Sequence, residues 1–210
     1  MTVKTAAQAL TLVKREGLVT LAAHVEGVAC FVEAVTGEHV RRSWWGHPQG
    51  KLIFTLAEGL EDSDEVVVVK LLEGKATFVH RELWPGLLAM VLEPSWRAER
   101  VKKLSAAAKT LLKKVEKESR RGEAAKPVKE LEESLLVYCA SEHTESGRHE
   151  KRLTSWEHWA KARGVTPGVV PERLSRASTL RSARSPRKPP TKRPARSPRE
   201  SPPPRRRSRG

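Results

Sequence analysis

Cysteine is scarce: only Cys30 and Cys139 occur in 210 residues, far apart and each among apolar neighbours. That excludes a disulfide framework and points to two buried thiols in a reducing compartment. Long hydrophobic runs are missing too. No stretch approaches the ~18 apolar residues that a spanning helix needs, and no apolar run follows a basic N-terminus. Neither membrane insertion nor a secretory leader is expected, and the reading is of a cytoplasmic protein. A Gly-rich phosphate loop, a G-x-S-x-G elbow and a paired C-x-x-C are also absent, which removes the common nucleotide-binding, hydrolase and redox signatures.

Acids are nearly absent from one end. From Ser175 to Gly210, Glu200 stands alone against 13 Lys and Arg, so that segment carries +12 of the formal +15. Residues 1–92 are mildly acidic at −2 and residues 93–174 mildly basic at +5. The 175–210 segment also holds eight of the 14 prolines and almost no apolar side chain. It has too little surface to bury against a backbone entropy cost of ~1–2 kcal/mol per residue. A disordered Arg/Pro/Ser-rich tail over 175–210 is therefore expected. Arg187, Lys188, Lys192, Arg193, Arg196, Arg199, Arg205, Arg206, Arg207 and Arg209 are its candidate nucleic-acid-binding residues. Their attraction to phosphate would be salt-sensitive and indifferent to sequence.

Periodicity organises the rest. Thr5 stands three residues before Gln8, a capping-box spacing, and Gly17 supplies a stop for a first helix. Leu18–Leu21 reads as a short strand, and Val28–Val35 as a second helix. A third helix begins near Pro48, with Leu52, Leu56 and Leu60 inward. The period then drops to two over 65–71 and 75–80, a hairpin signal, and a fourth helix starts at Pro85. This order is that of a winged helix. The candidate recognition helix, however, offers Lys51 against Glu58, Glu61 and Asp62, poor material for phosphates and guanine edges.

Residues 93–174 read as helical: a long basic amphipathic helix from Ser95 to about Arg121 and a second over 127–140. A polar loop SEHTESGRHEKRL follows, then a helix over 155–164 capped by Thr154 and Glu157. Solvation is the plainer use of the basic face, and contact with phosphate the sharper one. The expected fold class is thus mainly α with a β-hairpin (α+β). It comprises a winged-helix-like region at 1–92, a helical region at 93–174 packing on it, and the tail.

Three segments are richer than packing requires: Ser43–Pro48, Thr77–Arg81 and Glu142–His149. Each brings an imidazole, and two bring an arginine close by. His47, His80, Arg81 and His143 are accordingly the candidate catalytic residues, with the imidazoles moving protons and the arginine holding an anion. A metal set of His143 and His149 with His47, His80 or Glu142 matches no tight ligand spacing, so no metal and no cofactor is expected. The motifs SWWGHPQGKLIF, GKATFVHRELWP and HTESGRH resemble those of small bacterial proteins of unknown function. The resemblance covers roughly residues 1–164 and leaves out the tail. It implies no activity or substrate, only that the three segments belong to one pattern.

The composition favours a non-enzymatic nucleic-acid-associated protein that holds the phosphate backbone through its tail. The alternative is an enzyme acting on an anionic or phosphate-bearing substrate with a His/Arg pocket. A protein-binding adaptor is the third reading.

Overall fold

The computed structural model describes residues 2–41, 43–72, 74–143 and 149–180. Helix α1 (Ala6–Glu16) begins as its sequence dictates. The Thr5 hydroxyl accepts from the Gln8 N–H at 3.3 Å, and the Gln8 carboxamide accepts from the Lys4 N–H at 2.8 Å. Strand β1 (Leu18–Thr20) follows. The expected helix over 28–35 is shorter, because Ala29 and Cys30 form a strand, β2, parallel to Val19 and Thr20. Helix α2 then covers Phe31–Thr36. A 3₁₀ turn, Trp44–Gly46, leads into α3 (Gly50–Glu61). Gly50 is needed there, since a Cβ would lie 3.0 Å from the carbonyl oxygens of both Trp44 and Trp45. The inward set on α3 is Ile53, Leu56, Ala57 and Leu60, while Leu52 is only half-buried.

The hairpin is β3 (Val66–Leu72) and β4 (Lys75–His80), and β4 pairs with β1 to give a sheet ordered β2-β1-β4-β3. The strand period of two divides its side chains between two layers. Val19, Val66 and Phe78 pack with α1, α2 and α3 on one face. Leu18, Val67, Val69 and Val79 pack on the other with Trp84, Leu87 and Leu88 of α4 (Trp84–Leu92) and with Trp156 and Trp159. The expected period of two over 65–71 is not kept: β3 is VVVVKLL, and burial on both faces suits its run of four valines.

The middle of the chain departs most from expectation. In place of one long basic helix stand α5 (Pro94–Lys102) and α6 (Ala106–Val115). Ser105 makes the break. Its extended backbone starts α6, its hydroxyl accepts from the Ala108 N–H at 3.2 Å, and its own N–H donates to Glu130 at 3.0 Å. Helix α7 covers only Ala125–Glu133. The Leu135 N–H donates to the Glu132 carbonyl and the Leu136 N–H to that of Leu131. This double closure needs a left-handed residue, and Leu135 takes it at φ 54°.

Beyond it the expected loop is a hairpin, β5 (Tyr138–His143) and β6 (His149–Thr154), paired from Tyr138↔Thr154 to His143↔His149. Leu153 of that hairpin packs with Leu111, Leu112 and Leu131 in a third cluster. Helix α8 (Trp156–Arg163) is capped by Ser155, not Thr154. Helix α9 (Glu172–Leu180) carries ordered structure past Ser175, where the tail was expected to begin, and buries Leu174 against α4. Residues 181–210, with all ten tail cations named above, lie outside the described residues. The described chain is thus a mixed α and β fold, about half helical, with nine α-helices and two small sheets among those residues.

Candidate functional site

Of the four candidate catalytic residues, His47, His80 and Arg81 have described side chains, and that of His143 lies outside the described residues. His47 follows the 3₁₀ turn. Its Nδ1 accepts from the Gln49 N–H at 3.1 Å, which leaves the proton on Nε2, 3.1 Å from a Glu38 carboxylate oxygen. His80 ends β4 and is 1% exposed. Its Nδ1 accepts from the Glu82 N–H at 3.4 Å, and its Nε2 has no hydrogen-bond partner, with Glu65 3.7 Å away. The Arg81 side chain is exposed, and its N–H donates to the Glu65 carbonyl. His143 sits opposite His149 at the far end of the β5–β6 pairing. No hydrogen bond, ion pair or ring contact joins His47 to His80 or Arg81. The tryptophans divide likewise: Trp44 packs against the cluster on one sheet face, and Trp84 lies within the cluster on the other.

A groove of about 430 Å³ runs between α3, the β3–β4 hairpin and the β5–β6 hairpin. Its described lining includes none of His47, His80 and Arg81. Trp45, 64% exposed, stacks on Trp44 with ring centroids 4.1 Å apart, and Phe54 tilts against it at 5.6 Å. Glu58, Glu61 and Asp62 line the same groove at the C-terminal end of α3. Loss of water around the Glu61 carboxyl raises its pKa, and the neighbouring Asp62 and Glu58 raise it further. Carboxylates at a helix C-terminus also meet the negative end of the helix dipole. Lys70 and Lys151 line the same groove, so its charge is mixed.

Among the described residues, unpaired cations gather on and beside α6. The acids of this region are taken up by ion pairs: Glu99 with Lys102 at 3.1 Å, Glu116 with Arg97 at 3.1 Å, and Glu118 and Glu123 both with Arg120. Lys103, Lys109, Lys113, Lys114 and Lys117 have no ion pair among the described residues, and all but the half-buried Lys109 are exposed. Lys109 and Lys113, four apart, share one side of α6, with Lys114 beside them. The break at Ser105 turns α6 away from the line of α5, so this positive face is shorter than one continuous helix would give.

One set of ligating side chains escaped the sequence reading. His24, Glu33 and His39 bring a donor atom each within 4.8 Å of one another. Their spacings of nine and six match no compact motif, and only the short α2 between two turns brings them together.

Comparison with protein-family models, with curated proteins and with solved structures gave no match to the chain.

Proposed function

We propose that the protein associates with nucleic acid through the phosphate backbone, without reading its sequence. The observation that carries this is the set of lysines on and flanking α6, Lys103, Lys109, Lys113, Lys114 and Lys117, which have no ion pair among the described residues while Glu99, Glu116, Glu118 and Glu123 are paired. The Arg- and Lys-rich residues beyond Leu180 add charge of the same sign. The antiparallel pairing of β1 with β4 and the helix order before the hairpin support a winged-helix-like N-terminal unit. The acids on α3 favour its use in packing rather than in reading a groove.

Fluorescence anisotropy with unrelated duplex DNA, single-stranded DNA and RNA, repeated over a salt series, tests the reading. Affinity should fall steeply with salt, with a logarithmic slope of about 0.9 per phosphate neutralised on duplex. Replacing Lys109, Lys113 and Lys114 by Gln should flatten the slope by roughly one per lysine in contact, and affect all sequences alike. Truncation after Leu180, which keeps α9, should lower affinity further. Unchanged slopes in both variants would sink the reading. A preference for one strand type would name the polymer.

A further inference from the structure

We infer that His24, Glu33 and His39 form a binding site for a divalent transition-metal ion of the zinc class. The three donors come from three stretches of chain. His24 lies in the connection between β1 and β2, just before the tight turn closed by the Val25↔Val28 bridge. Glu33 lies in the first turn of α2. His39 follows Gly37, whose left-handed φ of 77° reverses the chain at the end of α2, and the Glu38 N–H donates to the Thr36 hydroxyl at 3.3 Å within that reversal. One Glu33 carboxylate oxygen therefore faces Nδ1 of His39 at 2.5 Å and Nδ1 of His24 at 3.6 Å. The two imidazoles meet edge to face, with centroids 5.5 Å apart.

The chemistry of this set is selective. Two neutral imidazoles and one carboxylate suit zinc and its borderline neighbours, whereas magnesium and calcium prefer all-oxygen shells. Tetrahedral ligands about 2.1 Å from zinc lie about 3.4 Å from one another. The His24–Glu33 separation already matches that, and the His39–Glu33 pair needs to open by less than an ångström once the ion replaces the shared proton. Both imidazoles are more than half exposed, at 68% and 55%, so water has access to the remaining coordination position. A plain His–Glu hydrogen bond accounts for His39, but it does not account for a second imidazole turned toward the same oxygen from a different segment.

Calorimetric titration of the full-length protein with ZnCl₂, with no nucleic acid present, tests this apart from the proposed function. One ion should bind per chain. His24→Ala and His39→Ala should each weaken binding by at least the ~10-fold that loss of even an outer partner costs, and Glu33→Gln should do the same. His158→Ala, on α8, should bind as wild type. Cobalt substituted for zinc should show the visible absorption of a nitrogen- and oxygen-ligated ion, without a thiolate charge-transfer band. Absence of binding at micromolar zinc would overturn the inference. So would binding that survives both His24→Ala and His39→Ala, or that is lost only in His143→Ala or His149→Ala.

Discussion

Cys139 shows how position sets the reactivity of a single side chain. It lies on β5 in the wall of the groove, where burial, aided by the charge of Glu132, pushes its thiol up to about 11. A thiol held protonated is a poor nucleophile. At pH 8, Cys139 in the folded protein should react with iodoacetamide far more slowly than in urea, as read by peptide mass spectrometry. The sign carries over to stability. Because the folded state holds this proton more tightly, the thiol's contribution is fully present below about pH 9, the ordinary value, and is lost as pH rises through about 11. His47 has both ring nitrogens engaged, while His80 keeps one buried nitrogen without a partner.

At the scale of elements, Ser105 carries the division between α5 and α6. Ser105→Ala removes the acceptor for the Ala108 N–H and should cost about 1 kcal/mol, within the 0.5–2 kcal/mol range for lost caps. Urea denaturation of the two proteins measures it. Capping chemistry also marks how far the sequence could be read. Thr5, Gly17 and the two β-rich runs on either side of Gly74 were legible because each acts locally. Ser105 was not, because lysines and leucines continue a helical stripe on both sides and the break is decided by Glu130 from another helix. Leu135 was hidden for a similar reason. A left-handed helix end usually advertises itself with glycine, and here burial of the leucine at 2% exposure offsets the backbone cost. The β5–β6 hairpin reads as a polar loop by composition. It is held by Leu153 in the third cluster and by the Lys151–Glu132 ion pair. Of the candidate site, the basic character of 97–121 was plain in the sequence. Which lysines lack a counter-charge, and the meeting of His24 with His39, depend on tertiary contacts.

At the scale of the molecule, residues 165–174 tie α1 to α4, one from each sheet face. The Gly168 N–H donates to the Pro85 carbonyl at 3.0 Å, and the Arg173 guanidinium donates to the Glu16 carbonyl at 2.8 Å. Gly86 makes this closeness possible, since a Cβ there would press on the Pro171 ring and lie 2.8 Å from the Val169 carbonyl. Gly86→Ala should cost about 1–3 kcal/mol by overpacking. It should also expose the 165–174 segment to limited proteolysis before the rest of the body is cut, as followed by mass spectrometry.

That seam holds the start of α9 against the body. Under the proposed function, the lysines on and beside α6 and the cations of residues 181–210 are two patches carried by one chain. A polymer captured by one patch meets the other at an effective concentration on the order of millimolar, an intramolecular encounter rather than a fresh collision. Under that proposal the two patches would act as one bivalent grip. Its strength depends on the length of the polymer held: a strand too short to bridge both patches gains nothing from the second, and one long enough gains the full avidity of the pair.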